Sequence, residues 1–444
     1  MMNTLPQDFL VGAATAAHQV EGNNIHSDYW AMEHMKYGNF NEPSLDAVDH
    51  YNRYEEDIKM VAEAGLNAYR FSIEWARIEP KQGVYDENEI EHYRKVLTCC
   101  RENGVEPIVT MMHFTSPKWL IENGGWENEA TVEAFKNYCQ YVTEQLGDLM
   151  HYVCTINEAN MGIQVAAISA RYRAQMMAKM QRMQQGGAEE KKGSGRNCSG
   201  WNEFQRHDGK YAETERRERG NIRNRYSQTF VSARTPEGDM LVIRAHQAAR
   251  AAMKAVKPEL QIGLTLSLHD IQAQEGGEET AAKEWVDEFT HYVPYIKEDD
   301  FFGLQNYSRS LIGPNGILPV PEGAEITQMD YEYYPEGLEH VIRRVYEEMP
   351  MPIMVTENGI ATADDTRRVA YIQTAMKGVE NCIQDGIPVK GYMYWSMMDN
   401  FEWQKGFGMT FGLISVDRTN TDTYSKTKSY CTWKLYKIMK GKDY

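Results

Sequence analysis

Apolar residues along this chain gather in short runs rich in β-branched and aromatic side chains, and between those runs they recur every three to four positions. The short runs predict strands at about Phe9 to Ala14, Asn67 to Ser72, Glu106 to Met112, His151 to Ile156, Gln261 to Leu266, Phe301 to Gln305, Ile353 to Thr356 and Val389 to Met393. The periodic stretches predict helices, such as Tyr51 to Ala64 ahead of Gly65 and Thr366 to Asp385 ahead of Gly386. Glycine there can take the left-handed conformation that closes a helix. A strand that is apolar on both sides is buried on both sides, so the alternation predicts a parallel sheet, and eight repeats predict its closure. The expected fold is α/β: a single (β/α)8 TIM barrel over residues 1–444, with no repeat or linker dividing it.

One segment departs from the pattern. From about Arg171 to Arg225 the chain is polar, contains Gly186-Gly187 and Gly193-Ser194-Gly195, and carries 14 Lys/Arg against 7 Asp/Glu. It is +7 in a chain whose remainder is −24. Its place after the fourth strand predicts an insertion on the rim where barrel enzymes carry their chemistry, beginning with a Met-rich helical stretch over 163–183.

The net charge of −17 and pI near 5.3 argue against nucleic acid or an anionic membrane as partner. Seven cysteines lack metal or disulfide spacing, which fits reduced thiols in a cytoplasm. The opening residues Met1 to Asp8 have no basic region followed by an apolar one, and no run reaches the roughly 18 apolar residues of a membrane span.

Two strand ends carry the candidate chemistry. Glu158 follows His151-Tyr-Val-Cys-Thr-Ile-Asn157, and Glu357 follows Pro352-Ile-Met-Val-Thr356 ahead of Asn358-Gly359. A lone carboxylate at a strand end usually caps a helix or pairs with a cation. Two on one barrel rim, however, are the minimum equipment for cleaving a glycosidic bond: one protonates the leaving oxygen, the other attacks or stabilises the sugar carbon.

Six strings then read together: Thr15-Ala-Ala-His18-Gln19-Val-Glu21-Gly22, Tyr69-Arg70-Phe-Ser-Ile-Glu74-Trp75-Ala-Arg77, His113-Phe-Thr-Ser-Pro117-Lys-Trp119-Leu, Thr155-Ile-Asn157-Glu158, Thr356-Glu357-Asn358-Gly359 and Trp395-Ser-Met-Met-Asp399-Asn400-Phe-Glu402-Trp403. In this order the chain closely resembles family 1 of the glycoside hydrolases, the β-glucosidase family, from about residue 5 to its C-terminus apart from 171–225. The resemblance implies a retaining β-glucosidase with Glu158 as acid/base and Glu357 as nucleophile, working without metal or organic cofactor on a small-molecule β-glycoside. Arg70 is the candidate cation that keeps Glu357 ionised. The resemblance further implies that Tyr307 donates to the nucleophile, that Gln19, His113, Asn157, Glu402 and Trp403 hold the sugar, and that Trp395 forms its stacking floor. A free acid at Glu402 is expected to repel a 6-phosphate, which favours unphosphorylated substrates.

Departures from the family pattern are Ala159 where proline is usual, Ile156 where phenylalanine is usual, Phe114-Thr115-Ser116 after the third strand, and Gln305-Asn306-Tyr307 after the sixth. The last leaves either Gln305 or Asn306 to support the site. β-Galactosidase or β-fucosidase activity on the same fold and a non-catalytic sugar-binding barrel remain the alternatives; a metal hydrolase lacks its His-Glu-x-x-His spacing. For the basic insertion, a wall beside the leaving group, an attractor of acidic leaving groups, or a dock for another copy in a homo-oligomer are the readings, against a solvated loop.

Overall fold

The computed structural model of the chain describes residues 5–35, 38–170, 177, 229–419 and 425–428. Its strands in chain order are β1 (Leu10–Ala14), β2 (Ala68–Ser72), β3 (Glu106–Met112), β4 (Tyr152–Ile156), β5 (Gln261–Gly263), β6 (Thr265–Ser267), β7 (Asp270–Ala273), β8 (Phe302–Gln305), β9 (Arg309–Gly313), β10 (Gly316–Ile317), β11 (Ile353–Asn358), β12 (Val389–Trp395), β13 (Ile414–Asp417) and β14 (Ser425–Lys428). Nine of these form one parallel sheet in the order β5-β4-β3-β2-β1-β12-β11-β8-β6. Its two outer members, β5 and β6, are the halves of one expected strand, joined through Leu264, so the sheet is an eight-position (β/α)8 barrel.

That break differs from the continuous strand expected over Gln261 to Leu266, and it has a local cause. Leu264 donates its N–H to the Asp299 carboxylate at 3.0 Å, while its carbonyl accepts from Gly303 N at 2.9 Å. The first half therefore pairs with β4 and the second with β8. Strand β11 also runs two residues further than expected. A register shift after Val355 places Glu357 opposite Gln305 and Asn358 opposite Tyr394, so the glutamate lies within the paired strand.

Helices close the outside of the barrel as the periodicity requires. The helix His50–Glu63 buries Ile58 and Val61, and Asp365–Gln384 buries Val369, Ile372, Met376 and Val379 on one face. No helix among the described residues is long and apolar enough to cross a membrane. Residues 161–170 after β4 are helical. Apart from Met177, the basic segment expected over 171–225 lies outside the described residues. Two smaller sheets were not foreseen: β10-β9-β7, standing on the catalytic rim, and the β13-β14 pair, in which Lys426 reaches the buried Asp57 at 2.7 Å.

Candidate active site

The C-terminal ends of the barrel strands converge on a cavity of about 670 Å³. Glu357, near the end of β11, lies almost entirely out of solvent, with both carboxylate oxygens engaged. Arg70 from β2 donates Nη1 to Oε1 at 2.5 Å, and Tyr307, two residues beyond β8, donates its hydroxyl to Oε2 at 2.6 Å. Gly359 accounts for the end of the Thr-Glu-Asn-Gly string: a Cβ there would meet the Trp395 carbonyl oxygen at 2.0 Å. A side chain would force β11 away from β12 and carry Glu357 with it.

The guanidinium also builds the neighbouring polar cluster. Arg70 Nη2 donates to Asn157 Oδ1 at 2.6 Å, and Gln305 Nε2 donates to the same oxygen at 2.7 Å. With that carbonyl occupied, Asn157 turns its amide nitrogen to His113 Nε2 at 3.2 Å, which must accept, leaving the ring proton on Nδ1. Burial, then the Arg70 charge, pushes the His113 pKa well down, so the ring is a neutral hydrogen-bonding group. Of the two residues at the sixth-strand departure, Gln305 supports this cluster, whereas Asn306 donates to the Leu268 and Ser308 carbonyls.

Glu158 sits two residues past β4 with a left-handed φ of 44°, a conformation that a non-glycine residue keeps only when its surroundings hold it. They do so through Thr265 on β6: Glu158 N donates to Thr265 Oγ1 at 3.1 Å, and Ala159 N donates to its carbonyl at 3.0 Å. Proline at 159 could not make that second bond. Burial, then the charge of Glu357, pushes the Glu158 carboxyl up to about 8, against weaker opposing pulls from Ser267, Arg70 and His269. Burial pushes Glu357 up as well, while Arg70 and Tyr307 pull it down. Within a pair of repelling carboxyls the proton stays on the member without the guanidinium contact. The guanidinium contact thus favours the charged form at Glu357 over Glu158.

The remaining residues nominated from sequence surround the same space. Gln19 Nε2 donates to Asn400 Oδ1 at 3.1 Å, to the Phe401 carbonyl at 2.8 Å and to Glu402 Oε2 at 3.4 Å, while its Oε1 is buried without a partner among the described residues. Burial and the charge of Glu357 push Glu402 up to about 8, so it keeps a proton at neutral pH. Sequence alone casts Glu402 as a free acid; burial, and then a charge from a strand 45 residues earlier in the chain, are the tertiary influences on it. Trp395, ending β12, lies beside the His113 ring at 5.6 Å between centroids. Trp403 stacks parallel to His18 at 5.9 Å, and His18 is anchored from behind by Glu33 at 2.5 Å.

All ten nominated residues gather here; eight line the cavity, and Arg70 and Gln19 stand immediately behind it. Sequence reasoning missed Thr265, Asn400 and His269. His269 lines the cavity, with Nδ1 held by Glu288 at 3.0 Å. Its place two residues beyond β6, on the catalytic rim, was the signal that could have found it. A carboxyl raised by burial and by its neighbour's charge, and a second one tied to a guanidinium on the same cavity, are a pair that can protonate a leaving oxygen and attack the carbon it leaves.

Known glycosidases resemble the chain over nearly its whole length. The crystal structure of the beta-glycosidase BGL167 matches with a TM-score of 0.84 at 42% identity, covering 100% of this chain and 99% of that one. Beta-glucosidase A of Acetivibrio thermocellus is 28% identical over 487 residues, covering 96% of this chain and 97% of its own length. The 6-phospho-beta-galactosidase of Lacticaseibacillus casei is 27% identical over 498 residues, covering 96% of each. The description glycosyl hydrolase family 1 matches residues 1–220 and 320–442. With that match spanning most of its length, and with two buried carboxyls at the barrel mouth, the chain belongs to family 1 of the glycosyl hydrolases.

Proposed function

We propose that this glycoside hydrolase is a retaining β-glucosidase acting on terminal, unphosphorylated β-D-glucosyl residues. The observation that carries the reading is the asymmetry of its two carboxyls: Glu357 held by Arg70 and Tyr307, and Glu158 kept protonated by burial and by its neighbour's charge. Glu357 attacks the anomeric carbon as Glu158 gives its proton to the departing oxygen, and a glycosyl ester forms on Glu357. Esterification removes the charge that raised the Glu158 pKa. That pKa then falls, and Glu158 can take a proton from the water that hydrolyses the ester.

Glucose is supported by the polar end of the cavity. Gln19 offers an unpartnered Oε1, and a protonated Glu402 can both donate to and accept from adjacent hydroxyls. A 6-phosphate fits poorly. Among the described residues that line the cavity, Arg309 alone is a permanent cation, and Glu332 and Gln272 already bind its guanidinium. A phosphate dianion would instead meet Glu357 and would force Glu402 to stay neutral.

Rates on nitrophenyl β-D-glucoside, galactoside, fucoside, 6-phosphoglucoside and 6-phosphogalactoside, measured side by side, test the substrate. The glucoside is expected to lead, and a preference for either phosphorylated sugar would reject the reading. For the mechanism, Glu357→Ala is expected to form α-glycosyl azide and Glu158→Ala β-glycosyl azide. The opposite products would exchange the two roles.

A further inference from the structure

Strand β6, whose Thr265 holds Glu158 in place, also delivers a histidine to the cavity. His269 stands two residues beyond the strand and lines the cavity with 39% of its side chain exposed. Glu288, at the end of the helix Glu278–Glu288, grips it twice: the His269 backbone N–H donates to Oε2 at 3.0 Å, and ring Nδ1 meets Oε1 at 3.0 Å. A carboxylate only accepts, so Nδ1 carries a proton. Nε2, the far edge of the ring, has no hydrogen-bond partner among the described residues. The backbone contact alone would tie the loop to the helix; the ring contact adds a cation at the cavity wall.

One clamp holds this pair against the acid/base. Asn160, two residues after Glu158, donates its amide to the carbonyls of Ser267 at 2.7 Å and Glu288 at 2.9 Å, and accepts from Ser267 N at 3.1 Å. The Ser267 side chain in turn hydrogen-bonds to the Glu158 carboxyl. Glu158 and the His269–Glu288 pair are therefore parts of one assembly lining one cavity, and each charge is felt by the other. Burial pulls the His269 pKa down, but the charge and hydrogen bond of Glu288, followed by the charges of Glu158 and Glu284, outweigh it and hold it above the usual histidine value. The other charged groups on the packed elements are committed elsewhere. Asp270, next in the chain, is taken by His340 at 2.8 Å and Gln272 at 2.7 Å; Arg309 on β9 is held by Glu332, and Arg344 lies over the Trp285 ring at 3.9 Å.

We propose that the imidazolium of His269, held by Glu288, is the counter-charge of the acid/base. When the leaving oxygen takes the Glu158 proton and Glu357 bonds to the sugar carbon, Glu158 is left as a carboxylate. His269 stabilises that carboxylate and keeps it ready to take a proton from the water whose oxygen displaces Glu357. No bond to His269 forms or breaks, so it is a positioning residue that acts through Glu158. The inference rests on the retaining β-glucosidase reading, which supplies the role of Glu158.

The pH limbs that belong to Glu158 provide the test. Its loss as acid is read from kcat/KM on octyl β-D-glucoside, and its loss as base from the rate at which water releases a 2-deoxy-2-fluoroglucosyl ester from Glu357. His269→Gln is expected to move both limbs up by about half a pH unit, because a carboxylate without its counter-charge is protonated more readily. His269→Arg keeps a cation and is expected to leave both limbs within about 0.2 of wild type. Each variant is checked for a folded circular dichroism spectrum. Histidine side-chain NMR adds a readout on the wild type: the His269 ring, assigned by its loss in His269→Gln or, should that variant unfold, in His269→Asn, is expected to carry protons on both nitrogens at about pH 6. Limbs that stay in place or move down in His269→Gln, limbs that move alike in both variants, or a neutral ring would overturn the proposal and leave the β-glucosidase reading standing. An alkaline limb that persists in Glu158→Gln, or a wild type that hydrolyses no β-glucoside, would instead reject the mechanism itself, and the inference with it.

Discussion

The two ends of the cavity are built on different principles. At the polar end nearly every group is fixed by another: Arg70 serves Glu357 and Asn157, Gln305 shares the Asn157 carbonyl, and Gln19 spans Asn400, Phe401 and Glu402. These bonds join β2, β4, β8, β11 and the loop after β12, so the end is as rigid as the barrel. Another wall of the cavity is a hairpin outside the barrel sheet that runs into the apolar residues 317–321. Chemistry demands fixed positions for charge, whereas an apolar group gains by leaving water whatever its orientation.

The sharpest way to break this contrast is at the nucleophile. Glu357→Ala is predicted to lower kcat by about 10⁵-fold, with partial rescue by azide. A loss of tenfold or less in steady-state assays would remove Glu357 from the chemistry. Next in size, Tyr307→Phe deletes one donor to Glu357 and is predicted to cost about a hundredfold in kcat/KM. Its acid limb should also move to higher pH, because a bond that lowers the Glu357 pKa is gone; an unmoved limb would make Tyr307 a packing residue.

Glu158→Gln is predicted to abolish the alkaline limb, which in the wild type should fall near pH 8 for poor leaving groups. Substrates with good leaving groups should lose less. A wild-type profile that stays flat to pH 10 on an alkyl glucoside would contradict the acid role.

The smallest effect is thermodynamic. The folded protein holds protons on Glu158 and Glu402 up to about pH 8, whereas in the unfolded chain they leave near the ordinary 4.5. The stability these two groups contribute is fully present below 4.5 and is lost as pH rises toward 8. Glu158→Gln and Glu402→Gln should consequently gain on wild type as pH rises, each by about 2 °C in Tm between pH 5 and pH 8. A mutant-minus-wild-type difference that shrinks over that range would show that burial at the polar end is not costly.

The sequence determined this protein's barrel because the period of its apolar residues is a local property, and each strand shorter than eight residues announces itself within its own window. It also pointed to the two glutamates and to most of the residues that gather round them, since these stand in strings of distinctive neighbours near the strand ends. Three things were left to the tertiary structure. The split at Leu264 needed Asp299, 35 residues away, to take an N–H that the strand would otherwise have used. The raised pKa of Glu402 needed burial first and then the charge of Glu357, both brought about through a third dimension that no window contains. And the apolar run at 317–321, which in sequence reads as a loop between two barrel elements, became a wall only when the β9–β10 hairpin turned it toward the cavity that Glu158 shares. Periodicity fixes what a segment is; only packing fixes what it faces.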